Sequence, residues 1–275
     1  MSKIKIKDLK DIDWAEFWNK KMDETGNRGK DWNKAAEKYS KLAEKDNYTE
    51  KLIENMILDK NDTLLDIGCG EGSVTIPLSK RVKYITATDL TEKMISILNS
   101  RINDENITNI KTIKEDINNI TLDKYGHYDI VLGSRVINGI KDIENVILNL
   151  NEIANKYVFL TVFGVNNWKI ERDFYKYINK EYHDRPEYTV LLNILSNLGI
   201  YANVKNLDVG PIRSYEDIND AINNGKWNCQ NFTRKEKEKL KEYLEKILDK
   251  NPKTGKLENK HDKPDWILIW WKVEK

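Results

Sequence analysis

Three stretches of the chain place glycines and carboxylates where a ligand can be gripped. In LLDIGCGEGSVTIPLSK, Leu64 to Lys80, an apolar run leads into Asp66, then Gly68, Gly70 and Gly72, then Val74, Ile76 and Leu78 at helical spacing. Glycines at a strand-to-helix turn let the backbone bend sharply and let a ligand approach without meeting a Cβ. A helix N-terminus behind such a turn offers free N–H groups and a positive dipole end to an anionic group. About twenty residues later, YITATDL sets Asp89 and Leu90 at the end of a second run, where an acidic side chain accepts hydrogen bonds from ribose hydroxyls. KEDI then sets Asp116 and Ile117 at the end of a third, with Asp116 positioned to accept from an adenine amino group.

The elements that must carry these residues follow from periodicity. From Asn61 onward, short β-rich apolar runs alternate with helical-period segments, the pattern of βαβ units and a parallel sheet. The runs are Thr63 to Gly68, Tyr84 to Leu90, Ile110 to Ile117, Tyr128 to Ser134 and Tyr157 to Phe163. Met94, Ile95, Leu98 and Ile102 form one helical face after a possible Thr91 N-cap, and Ile143, Val146, Ile147, Leu150 and Ile153 form another. Downstream, Thr189 to Leu198 reads as a helix closed by Gly199, and Ala202 to Val209 as a strand. Thr233 with Glu236 is a capping box that opens a helix carrying Leu240, Leu244, Ile247 and Leu248. Asn251 to Lys263, with NPKTG, reads as a mobile loop, and WILIWWKV, Trp266 to Val273, as the last strand. Upstream, Trp32, Ala35, Ala36, Tyr39 and Leu42 fall at helical spacing.

On these motifs the sequence resembles the class I S-adenosylmethionine-dependent methyltransferases, in their small-molecule branch. Asp66-Ile67-Gly68-Cys69-Gly70-Glu71-Gly72 looks like their D-x-G-x-G-x-G loop, and Asp89, Asp116 and Ile117 stand where the family's ribose and adenine contacts stand. Trp32 to Tyr39 is similar to the N-terminal helix that often closes over the cofactor. The resemblance implies a Rossmann-like α/β sandwich with a seven-stranded, mostly parallel sheet whose last strand is antiparallel. It also implies S-adenosylmethionine as cofactor and methyl transfer as the reaction. The cofactor contacts expected are Tyr39, Asp66, Gly68, Cys69, Gly70, Asp89, Leu90, Asp116, Ile117 and Ser134. The rival is a nicotinamide-dinucleotide site, whose G-x-G-x-x-G would need glycine where Ser73 stands.

The acceptor side is less explicit. After the fourth run stands Gly133-Ser134-Arg135-Val136, not the Asn- or Asp-Pro-Pro-aromatic tetrad with which base-modifying amino-methyltransferases grip their target. That departure argues against the exocyclic amines of DNA or RNA bases. Arg135 either binds a substrate carboxylate or forms a surface ion pair, the commoner fate of an arginine. Of the histidines, His127 and His261 read as solvated. His183 lies in EYHDRPEY after the fifth run, where a structural role is commoner than a catalytic one. Arg135, His183 and Tyr39 are the catalytic candidates, and no general base stands out. A sulfonium donor is already activated, so positioning can supply much of the acceleration.

Composition bounds the rest. The 275 residues carry 46 Lys+Arg against 45 Asp+Glu, a formal net charge of +1, which excludes a strongly basic nucleic-acid binder. The two cysteines, Cys69 and Cys229, have no metal or disulfide spacing, so no metal is expected and a reduced, cytoplasmic setting is. No run is long enough to span a bilayer. The expected organisation is a single methyltransferase domain, 1–275. Its cofactor core is 48–163, and helices within 10–47 and inserts 164–186 and 208–262 form an acceptor cap. Trp14, Phe17, Trp18, Trp168 and Trp227 supply that cap's aromatics, and removal of residues 1–29 is expected to leave the sheet folded. The expected acceptor is a small molecule with a nucleophilic O, N or S atom. A protein or structured RNA acceptor and a non-catalytic cofactor-binding protein are the alternatives.

Overall fold

The structure, a computed structural model, describes residues 11–25, 47–210, 212–225, 227, 232–263 and 265–275. Tyr39, Trp32 and the helix expected around them lie outside the described residues, as does Cys229.

Five strands run parallel through the middle of the chain: β1 (Thr63–Ile67), β2 (Tyr84–Asp89), β3 (Ile110–Lys114), β4 (Tyr128–Gly133) and β5 (Ala154–Phe163). They combine with β6 (Asn203–Leu207) and β10 (Trp266–Lys272) into a seven-stranded sheet of order β3-β2-β1-β4-β5-β10-β6, in which β10 is antiparallel to both neighbours. This is the expected topology. Strand order reverses between β1 and β4, and in open α/β sheets the crevice at that switch point is where ligands bind. The first four expected runs overshoot their strands at the carboxyl ends by one to three residues, and those residues form the loops of the site; the fifth ends with its strand at Phe163.

The period-2 alternation of the inner strands feeds two cores, one on each face. Ile267, Ile269 and Trp271 of β10 and Val158, Leu160 and Val162 of β5 pack with Ile143, Val146, Ile147, Leu150 and Ile153 of α6 (Ile143–Ile153). The same core holds Val190, Leu191, Ile194 and Leu195 of α8 (Tyr188–Asn197), which ends before Gly199 at φ +74. Leu64, Ile85, Ile130, Leu132, Phe159 and Leu268 face the other way, onto α2 (Tyr48–Glu54), α3 (Thr75–Ser79) and α4 (Glu92–Asp104). Thr91 is the N-cap residue of α4, but its side chain makes no cap bond; its N–H instead donates to Asp89 Oδ1 at 2.8 Å.

Helix α1 (Trp14–Glu24), opened by Asp13 accepting from the Glu16 N–H, packs against α8 and α6. Trp18 is wholly buried there, and its Nε1 donates to the Ile140 carbonyl at 2.8 Å. A segment so anchored is part of the main core, which weighs against the expectation that residues 1–29 can be removed with the sheet left folded.

The segments after β5 and β6 build a third core away from the sheet. Ile170 and Phe174 of α7 (Lys169–Tyr177), Tyr215 of β7 (Ser214–Tyr215), Ala221 of α9 (Ile218–Asn224) and Leu240 and Leu244 of α10 (Arg234–Ile247) enclose Trp227 and Phe232. The expected Thr233/Glu236 capping box opens α10. Asn251 to Lys263, expected as a loop, holds the two-residue strand β9 (Leu257–Glu258), which pairs with β8 (Asp249–Lys250) and with β7. Arg213, ion-paired to Glu171 at 3.3 Å and Asp262 at 2.8 Å, ties the parts of this unit together. Among the described residues, no helix is long and apolar enough to cross a membrane.

Candidate functional site

The glycine loop leaves β1 at the switch point. All three of its glycines have positive φ, +66 at Gly68, +56 at Gly70 and +87 at Gly72, where a Cβ is strained. Gly68 and Gly72 are also short of room: a Cβ would come within 2.6 Å of Val136 and 2.3 Å of Leu98. Gly70 has nothing within 4 Å of that position, so it presents bare backbone to open space. The loop is pinned by the Cys69 N–H donating to the Thr88 carbonyl at 2.9 Å and by the Gly70 N–H donating to Asp89 Oδ2 at 3.0 Å. The helix behind the loop is a correction. α3 has five residues and begins only at Thr75, so it is too short to build the dipole expected of it.

Asp66 is 1% exposed. Its Oδ2 accepts from Thr75 Oγ1 at 2.6 Å, while Oδ1 is buried with no hydrogen-bond partner among the described residues. Burial pushes its carboxyl up to about 7, and the nearby Asp89 charge adds to this against the bond from Thr75. Burial likewise drives the Cys69 thiol well above its ordinary value, reinforced by the charges of Asp66 and Asp89, so the thiol is not activated.

Tyr48, Asp66, Gly68, Cys69, Gly70, Ser134 and Arg135 line one cleft. Across it from the glycine loop, Tyr48 Oη lies 2.8 Å from Ser134 Oγ and 2.6 Å from Thr161 Oγ1, which in turn accepts from the Arg135 N–H at 2.8 Å. Arg135 has φ +58, a conformation rare for a side-chain-bearing residue and one that recurs at ligand sites. It is half-buried, with its guanidinium 3.5 Å from the centre of the Tyr48 ring and 5.1 Å from that of Trp266. The guanidinium therefore edges the cleft against aromatic rings. Trp266 packs on Phe163 at 4.7 Å and Phe163 on Trp168 at 5.8 Å, extending an aromatic wall along the carboxyl ends of β4 and β5.

The nucleotide side is formed at the next two strand ends. Half-buried Asp89 is followed by Leu90, which is 62% exposed, and by buried Thr91. Asp116 caps the single 3-10 turn Ile117–Asn119, and its Oδ1 accepts from the Asn118 N–H at 2.9 Å and Nδ2 at 2.8 Å. Ile117 is buried beneath it.

Other sequence candidates lie elsewhere. His183 is 3.6 Å from Glu24 and 3.9 Å from Glu181 and does not line the cleft; its neighbours Asp184 and Arg185 hold Arg172 and the Asn138 carbonyl. Trp227 is enclosed in the third core with Nε1 on the Ala221 carbonyl at 3.0 Å, so it walls no pocket above the sheet. Sequence reading missed Tyr48, Thr161, Phe163 and Trp266 as site residues. Each reads locally as an ordinary core residue, and only strand order brings them together.

Residues 64–156 match a family described as a methyltransferase domain. An uncharacterized protein of Haemophilus influenzae is 26% identical over 250 residues, 89% of each chain. A probable cobalt-precorrin-6B C(15)-methyltransferase (decarboxylating) of Methanocaldococcus jannaschii is 31% identical over 123 residues, 44% of this chain and 64% of that one. A probable ribosomal RNA small subunit methyltransferase A of Methanosphaera stadtmanae is 34% identical over 80 residues, 29% of this chain and 30% of that one. The chain thus spans less than two thirds of these two relatives with named activities. Among solved structures, magnesium protoporphyrin IX methyltransferase of Synechocystis with bound S-adenosylhomocysteine has the same fold, with a TM-score of 0.51 at 13% identity, covering 94% of this chain and 97% of that one. Fold and glycine loop together define a Rossmann-like cofactor-binding protein. Over residues 64–156 the chain is similar to methyltransferase domains, and its fold is that of a methyltransferase solved with S-adenosylhomocysteine.

Proposed function

We propose that this methyltransferase acts on a small molecule, at a nucleophilic O, N or S atom, and that its acceptor lies against the aromatic wall of Tyr48, Phe163, Trp168 and Trp266. The observation that carries this reading is the cleft itself. It has the glycine loop with an orphaned buried carboxylate oxygen on one side and an aromatic, guanidinium-edged wall on the other. Apolar walls with a few placed polar groups are the usual make-up of small-molecule sites, and they keep water from a transfer. The relatives' names include small-molecule and ribosomal RNA methyltransferases alike, so they do not decide the acceptor class.

The residues present fit S-adenosylmethionine. Asp66 Oδ1 needs a donor that an amino group provides, and Gly70 leaves room for a ligand at bare backbone. Asp89 retains acceptor capacity on both oxygens for ribose hydroxyls, and exposed Leu90 with Ile117 forms an apolar bracket for an adenine. Asp116 Oδ2, which makes no bond among the described residues, accepts from the adenine amino group. Gly68, Cys69 and Ser134 border the remainder. The cofactor supplies an activated methyl group on a sulfonium, so the protein's task is alignment and exclusion of water. Residues 48–163 serve as the cofactor core, and the segments 164–186 and 208–262 serve as the acceptor cap of a single domain. A cytoplasmic location accords with the chain's balanced charge.

The test is ligand-induced stabilisation, because a ligand that binds only the folded state raises the melting temperature by mass action. S-adenosylmethionine and S-adenosylhomocysteine are expected to raise it and NAD is not. Stabilisation by NAD alone would overturn the assignment of the loop.

A further inference from the structure

A second buried carboxylate lies on the acceptor side of the sheet. Asp265 immediately precedes β10, whose Trp266 is paired in register with Phe163 at the end of β5. It is therefore beside Gly164, at the carboxyl end of the parallel strands. The Asp265 carboxylate lies over the bare Cα of Gly164, where a Cβ would come within 2.2 Å of it, so glycine is what makes room for it. Asp265 is 7% exposed. Its carbonyl accepts from the Gly164 N–H at 2.8 Å and from Asn167 Nδ2 at 2.6 Å, and its Oδ2 accepts from the Asn166 N–H at 3.0 Å. Oδ1 is buried and has no partner among the described residues.

A buried carboxylate oxygen left unserved is destabilising, and such groups persist where a ligand supplies the missing donor. The surroundings indicate which kind. Glu187, at the head of α8, is half-buried, and its carboxyl is raised chiefly by burial, with the charges of Asp184 and Asp265 adding to this against the Thr189 hydrogen bond and the Arg172 charge. Both cations that face these three carboxylates are drawn to Asp184, Arg172 at 2.6 Å and Lys21 at 3.8 Å. Next to this surplus of negative charge stand the rings of Phe163, Trp168 and Trp266, whose faces attract cations. A neutral hydroxyl would serve Oδ1 but leave the charge unbalanced; an ammonium group meets both demands.

We propose that Asp265 is a specificity-determining residue of the acceptor site and that the acceptor presents a protonated amine to its Oδ1. The proposal rests on the methyltransferase reading for its context and extends it to a substrate class, aromatic or alkyl amines. The amine is the handle by which the acceptor is held, whichever of its atoms receives the methyl group.

The experiment uses the full chain saturated with S-adenosylhomocysteine and two probes matched in shape, phenethylamine and 3-phenylpropanoate, with binding read by calorimetry and thermal shift. Phenethylamine is expected to bind and 3-phenylpropanoate is not. Asp265→Asn is expected to weaken the amine by about tenfold or more, the loss typical of a charged hydrogen bond. The same variant keeps its affinity for S-adenosylhomocysteine and melts at the wild-type temperature or above, because it removes a buried charge with an unserved oxygen. A lowered melting temperature would mark Asp265 as a structural residue and overturn the proposal. Equal binding of the probes, preference for the anion, or no binding of the amine to the loaded wild-type protein would also overturn it. Failure of S-adenosylhomocysteine to bind is a separate result, which strikes the cofactor reading, and the probe comparison is then made on the unloaded chain.

Discussion

The Asp89 carboxylate at the end of β2 accepts the Gly70 N–H at 3.0 Å, so the residue proposed to hold the ribose also fixes the loop beneath the rest of the cofactor. Its other oxygen accepts the Thr91 N–H at 2.8 Å, which sets the entry into α4. One side chain therefore couples loop shape to ligand affinity. Asp89→Ala is expected to weaken S-adenosylhomocysteine by about 1.5 to 3 kcal/mol, from lost charge-assisted bonds and a loosened loop. Calorimetry on the folded variant checks this, and unchanged affinity would place the ribose elsewhere.

The three loop glycines are expected to separate stability from binding. Gly72→Ala forces a Cβ to within 2.3 Å of Leu98 Cδ1 at φ +87, and destabilisation by about 2 to 4 kcal/mol is expected from overpacking and backbone strain together. Gly70→Ala meets no atom, so its stability cost is about 1 kcal/mol of left-handed strain, yet it intrudes where ligand approaches. Urea unfolding beside calorimetry should show Gly72→Ala losing mainly stability and Gly70→Ala mainly affinity.

Asp66 makes the unliganded protein sensitive to pH. Its carboxyl is raised to about 7 by burial, so between the ordinary carboxylate value and 7 the folded chain holds a proton that the unfolded chain has released. Stability from this group is complete at low pH and is lost as pH rises toward 7. Asp66→Asn, which keeps an acceptor for Thr75, is expected to raise the melting temperature more at pH 8 than at pH 5. A melting-temperature difference independent of pH would show that Asp66 does not titrate in this way.

Trp18→Ala removes a wholly buried indole and its bond to the Ile140 carbonyl. A loss of about 3 to 5 kcal/mol is expected, as for other buried aromatics, measured by chemical denaturation. A loss under about 1 kcal/mol would mean that α1 is not part of the core, contrary to its packing.

The cofactor half of the site was legible because its signals are local. The strand, glycines and strand-end carboxylates of Asp66, Asp89 and Asp116 each announce themselves within a few residues. The shortness of α3 follows from spacing that the helical periodicity of Val74, Ile76 and Leu78 obscured: the eleven residues between Gly72 and Tyr84 must turn, form a helix and return to the sheet, which leaves room for little more than one helical turn. The acceptor half depends on pairing between distant strands. Phe163 meets Trp266 only because β10 inserts between β5 and β6, and no periodicity within either strand reports that. Trp18 and Trp227 were misplaced for the same reason: an aromatic residue outside the sheet looks available to a ligand until tertiary packing encloses it.

The acceptor class is the central claim, and labelled-methyl transfer tests it most directly. The full chain is incubated with methyl-labelled S-adenosylmethionine and a cell extract that is then split by size. The account expects label in the low-mass fraction, dependent on active protein and lost with Asp89→Ala. Label confined to intact protein or RNA would contradict it.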